Sequence, residues 1–184
     1  MAKYQTINML RAAGLEQDRL EGNVPYLTPA KRAPYEVTVI LLDTVTPGSK
    51  SGRLFQGRKP VMQRMDTSDG TNPVGKYLFV MDGDGRVYAA PARAVVHHSA
   101  FLAGGPVAAA GLLEVDHGRL TGADNDSGHY KPPIEFLDQF LREMGSRGVD
   151  LAGVTPRHVA GSGTLAKQKE LAQQPRFKAA LERI

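Results

Sequence analysis

Cysteine is absent from this chain of 184 residues, and so is tryptophan. The first absence excludes disulfide scaffolding, thiolate catalysis and cysteine-ligated zinc. No run of 18 apolar residues occurs, which leaves no candidate for a membrane-spanning helix. Met1-Ala2-Lys3-Tyr4-Gln5 lacks the apolar core of a signal peptide. The expectation is a cytoplasmic chain, or one delivered into a target cell by a secretion system that needs no signal peptide. Aromatic residues make up only 7%.

What remains is an ordinary globular mixture, 41% hydrophobic and 23% charged. The length suits one α+β domain over residues 1–156 with a basic helical tail over 157–184. From Arg157 onward six basic residues face two acidic ones, which equals the whole chain's excess of +4. Such a tail suits an acidic partner or nucleic acid, or is a solvated helix face. No aromatic interleaving supports base stacking there.

Residue patterning predicts a central, mainly antiparallel sheet built from hairpins and flanked by helices. Strands are expected near 35–42, 76–81, 86–90, 94–98, 112–115 and 119–124. Helices are expected at 5–20, 133–144 and 165–183. Asp82-Gly83-Asp84-Gly85 and Asp116-His117-Gly118 are hairpin signals. Ile134, Leu137, Leu141 and Met144 form one apolar stripe. Residues 43–75 are polar and rich in Gly, Ser and Pro, which predicts a long flexible loop.

The most distinctive stretch runs from His97 to Tyr130. His97-His98-Ser99 opens it, Gly104-Gly105 and Ala108-Ala109-Ala110-Gly111 form its middle, and Ser127-Gly128-His129-Tyr130 closes it. Donors, acceptors and a stacking ring lie beside backbone free of bulky side chains, as in small-molecule sites. A metal site of His97 or His98 with His129 is disfavoured, because adjacent residues of an extended segment face opposite ways. A serine hydrolase is disfavoured because Gly-x-Ser-x-Gly is missing. Calcium at Asp82 fails, since the twelfth position is Arg93. Tyr130 is either the ring of a buried corner, with His129 its satisfied neighbour, or a ligand group.

The string His98-Ser99-x-Phe101-Leu102-Ala103-Gly104-Gly105, then Ala109-Ala110-Gly111, then Ser127-Gly128-His129-Tyr130-x-Pro132 resembles two groups. One is the ADP-ribosyltransferase-like toxin or effector domains of bacterial polymorphic toxins. The other is the plant IQ-motif calmodulin-binding proteins, which carry a similar block. The likeness spans roughly residues 30–152, with Arg32-x-x-Tyr35-x-Val37 and Phe79-Val80-Met81-Asp82 upstream. Ala100 stands where a second Ser is usual, and no IQ motif is present.

The bacterial likeness implies NAD as substrate, an ADP-ribosyltransferase or NAD glycohydrolase activity, and a protein or nucleic-acid acceptor. It also implies a cognate immunity protein as a partner. His98 and Ser99 would hold a ribose hydroxyl, Tyr130 would stack on nicotinamide, and His129 would assist. Gly104, Gly105 and Phe101 would line the dinucleotide, with Arg93 or Arg86 on the pyrophosphate. The carboxylate such chemistry uses has no clear bearer: Glu135 opens a helix and Glu114 precedes Tyr130. The alternative is a non-catalytic binding module whose His/Ser/Tyr cluster is structural or holds a partner.

Overall fold

A five-stranded mixed sheet carries the molecule, and each of its faces is covered by a separate apolar cluster. The computed structural model describes residues 1–9, 24–45, 56–62, 65, 75–91 and 94–158. In chain order the elements are α1 (Pro29–Arg32), β1 (Val39–Val45), β2 (Gln56–Met62), β3 (Tyr77–Met81) and β4 (Val87–Pro91). They continue with α2 (His98–Phe101), β5 (Ala109–Asp116), β6 (Arg119–Asp124), α3 (Ile134–Ser146) and β7 (Thr155–Arg157). The sheet order is β4-β3-β5-β6-β7, and β1 pairs with β2 as a separate ribbon.

Both hairpins form where the turn residues demand them. Asp82 Oδ1 accepts from the amides of Asp84 (3.0 Å) and Arg86 (2.9 Å), and Gly85 adopts φ +89°. Asp82 therefore organises its own turn rather than a cation. His117 and Gly118 both have positive φ, as a tight two-residue hairpin of right-handed twist requires.

Alternation then sorts the strands. Phe79, Met81, Val87, Leu113, Val115 and Leu120 face α3, where Phe140 meets Phe79 at 4.4 Å between ring centres. Leu78, Val80, Tyr88, Ala90 and Ala110 face the other way, onto Phe101, Val107 and Tyr130. The α3 stripe lands as patterned, with Ile134, Leu137, Leu141 and Met144 buried. Gly148 (φ +87°) ends the helix: Val149 N donates to Met144 O (3.0 Å) and Gly148 N to Gly145 O (2.8 Å). Leu137→Ala is expected to cost about 2–5 kcal/mol in a denaturant melt, by emptying a site with no room to collapse.

Several expectations need correction. The first strand starts at Val39 and runs to Val45. The stretch 43–75 is not all loop, because β2 lies within it and pairs antiparallel with β1. Residues 94–98 make a turn and open α2 instead of a strand; Ala94 N and Val95 N both donate to Pro91 O, which curls the chain. Residues 5–9 are not helical: Ile7 and Val107 exchange backbone hydrogen bonds of 2.8 and 3.0 Å. The remainder of the 5–20 helix and the 165–183 helix lie outside the described residues. Arg157, placed at the start of the tail, belongs to β7, which runs parallel to β6 and ties to Glu114.

Candidate functional site

The two polar corners of the sequence meet in space. His97 caps α2 and presents its ring edge-on to His129, 5.2 Å between centres. His98, the first residue of α2, is buried and bonds through Nε2 to Gly111 O at 2.9 Å. A carbonyl only accepts, so Nε2 carries a proton. Burial, with the nearby His129 and His97 adding to it against the bond to Gly111, pushes the His98 pKa down to about 4. Its imidazole is therefore uncharged at neutral pH.

Tyr130 is fully buried, and its hydroxyl donates to Gly105 O at 2.8 Å. Ser99 and Phe101 are fully buried as well. Phe101 packs edge-on against Tyr35 (6.1 Å), and its carbonyl accepts from Arg32 (3.0 Å). Gly104 adopts φ +73° and donates to Ser99 O, which closes α2. Gly105 N donates to Leu102 O. Arg86 is paired with Asp82 at 2.8 Å. Arg93 lies outside the described residues. Gly128 has no positive φ; the left-handed residue of this corner is Lys131, at φ +42°.

Residues not singled out by sequence complete the cluster. A Cβ on Gly111 would sit 1.9 Å from Asp124 O, so the β6 exit crosses β5 at bare backbone. Asp124 Oδ1 accepts from Leu112 N (2.8 Å) and Asp126 N (3.1 Å), while Oδ2 pairs with Lys76 Nζ (3.2 Å). Asn125 donates to Pro132 O (2.7 Å) and meets His158 Nδ1 at 3.1 Å. The signal was the Ala-Ala-Ala-Gly run, read as room for a ligand when the approaching group is the chain itself.

A second buried polar centre lies across the sheet. Glu143 accepts from Lys3 Nζ (2.6 Å), the Tyr4 hydroxyl and Arg147 Nε (2.8 Å). Arg147 Nη2 donates to Gly85 O at 2.6 Å. One helical turn earlier, Gln139 bonds both ways with the Gln5 backbone and also donates to Ala108 O. A cleft of about 320 Å³ lined by Lys3, Gln5, Glu135, Phe136 and Arg142 lies beside them, and none of the residues predicted for the site lines it. Among the described residues no group of three or more His, Asp or Glu is placed to hold a metal ion. No described helix is long and apolar enough to cross a membrane.

Residues 48–137, which include His97, His98, His129 and Tyr130, match the family model of the IQ motif-containing protein middle domain. The chain is similar to three Arabidopsis thaliana proteins over 132 residues, 71% of its length. They are the IQ domain-containing proteins IQM3 (35% identical), IQM2 (33%) and IQM1 (30%). The matched region covers 26%, 20% and 24% of them, so the chain spans about a quarter of these relatives or less. No solved structure matches.

These findings support the IQ-motif half of the resemblance and overturn the toxin half. The ADP-ribosyltransferase reading falls, and with it NAD as substrate, the secreted toxin or effector and the enzyme assignment. The immunity partner, inferred from the same likeness, gains no support. The roles toward NAD given to His98, Ser99, His129, Tyr130, Gly104, Gly105, Phe101 and Arg93 have no remaining basis. The α+β class stands, as a mixed sheet with short helices.

Proposed function

We propose that the chain is a non-catalytic binding module for a protein partner, and that its His/Ser/Tyr cluster maintains the fold. One observation supports this most directly. The reactive-looking atoms are already engaged with the chain's own backbone: His98 Nε2 with Gly111 O and the Tyr130 hydroxyl with Gly105 O. A catalytic acid, base or nucleophile must be within reach of substrate, whereas these side chains are buried on all sides. Similarity to IQ domain-containing proteins supports the same reading. The division into one globular body and a basic C-terminal tail belongs to this proposal, with Arg157 on the body's side as part of β7. Because no IQ motif is present, calmodulin is a partner to be tested by calorimetry on the purified chain.

Removing one hydrogen bond separates structural from catalytic roles. Tyr130→Phe keeps the buried ring and is expected to lose about 1–3 kcal/mol by leaving Gly105 O without its partner. Partner affinity of the folded fraction should be unchanged. Turnover of NAD at micromolar protein, abolished by His98→Gln in a protein that melts like wild type, would overturn the reading.

A further inference from the structure

His97 and His98 open α2 and His129 lies in the corner before α3, two segments that meet only in the folded chain. His97 and His129 touch ring to ring, and His98 lies buried against Gly111 beside them. The charged and titratable groups facing them are few. From β6 comes Asp124, whose carboxylate is bonded to two amides and to Lys76 from the start of β3. From the chain after β7 comes His158, on Asn125. Asp126 and Lys131 of the corner point to solvent. Burial holds His98 uncharged, and Asp124 is the one carboxylate among the described groups that draws its pKa upward.

The segment these rings pin carries costs of its own. Lys131 sits at φ +42°, which disfavours a residue with a Cβ. The Ser127 hydroxyl is buried with no hydrogen-bond partner among the described residues. The same segment plugs Tyr130 into the apolar cluster of Val80, Phe101 and Val107. A proton taken up in this histidine group therefore acts on a segment that already carries a strained residue and an unsatisfied hydroxyl.

We propose that the three histidines are an acid-released latch: neutral, they hold the 125–131 corner on α2, and acid favours the lifted corner, in which the buried His98 ring meets water and takes up a proton. Lifting withdraws Tyr130 from Gly105 and uncovers the Phe101–Val107 face, while the sheet and α3 stay packed. Histidine is the side chain whose ordinary titration range makes this a response to mild acid.

The test follows the whole chain from pH 7.5 to 4.5 by histidine ring NMR, by amide exchange corrected for intrinsic rates, and by binding of a hydrophobic dye. Protection at residues 127–131 should fall about tenfold or more before protection at Phe79 and Leu113 changes, with dye binding rising in step. In His97→Gln the opening should move to lower pH, and further in His97→Gln with His129→Gln, because both rings help to keep His98 uncharged. The single variant, at a partly exposed position, keeps the test valid should the double variant fail to fold. Protection that is flat to pH 5, loss at all amides together, or opening unshifted in the variants would overturn the latch.

Discussion

Replacing Gly111 by Ala should abolish the native state at ordinary temperatures. The added Cβ would stand 1.9 Å from Asp124 O, 2.7 Å from its carbon and 3.0 Å from Asn125 Cα. All three are backbone atoms, so no side chain swings aside to make room. The β5–β6 pair must part there, and the bond from Leu112 N to Asp124 Oδ1 that spans it goes too. A cost above about 4 kcal/mol is exceptional for a single methyl group and approaches the whole stability of a domain this size. Soluble yield, circular dichroism and denaturant midpoint report it. Gly128→Ala is the control, because nothing lies within 4 Å of its Cβ; the expected change is about 0.5 kcal/mol or less. Equal effects from the two substitutions would show that the crossing is not where the strain lies.

Glu143→Ala is the second large loss. The carboxylate has only 6% of its side chain exposed and answers three donors. Burial by itself would raise its pKa, yet the hydrogen bonds from Lys3, Tyr4 and Arg147 outweigh burial and hold it below the usual carboxylate range. Removing it strands the Arg147 guanidinium at Gly85 and unties Lys3 and Tyr4 from α3, at about 3–5 kcal/mol. Lys3→Ala, whose side chain is 54% exposed, should cost about 1 kcal/mol or less. The pH dependence has a definite sign. The folded pKa is depressed below the unfolded one, so the contribution is complete above the unfolded value near 4.5 and fades as pH falls through the folded value. In Glu143→Gln that fading should vanish from melts run across pH 5 to 3. A variant as acid-sensitive as wild type would place the effect elsewhere.

The two centres divide the protein's polar interior. Glu143 fastens the N-terminal residues to α3 on one face, and the histidine–tyrosine corner closes the other. Neither is visible in a pattern of apolar residues. Glu143 and Gln139 lie four apart on α3, and both are buried although polar. A stripe read for its hydrophobic members passes over them.

Where local chemistry decides structure, the sequence by itself was enough. Asp-Gly and His-Gly turns need little beyond their own side chains and φ angles, so both hairpins stand where residue types place them. The α3 stripe needs only a period of 3.6 and an apolar partner. The α+β class follows from these. Long-range contacts were decided by tertiary structure alone. β2 pairs with β1 across residues whose composition reads as loop, and β7 joins the sheet in parallel after a helix. Gly111 shows the reason most plainly. A residue without a Cβ permits close approach by a ligand or by the chain itself, and its composition is the same in both cases. Only the position of Asp124, thirteen residues away in sequence and in direct contact in the fold, settles that the visitor is backbone. That contact turns the His97–Tyr130 stretch from an expected NAD site into a packed corner.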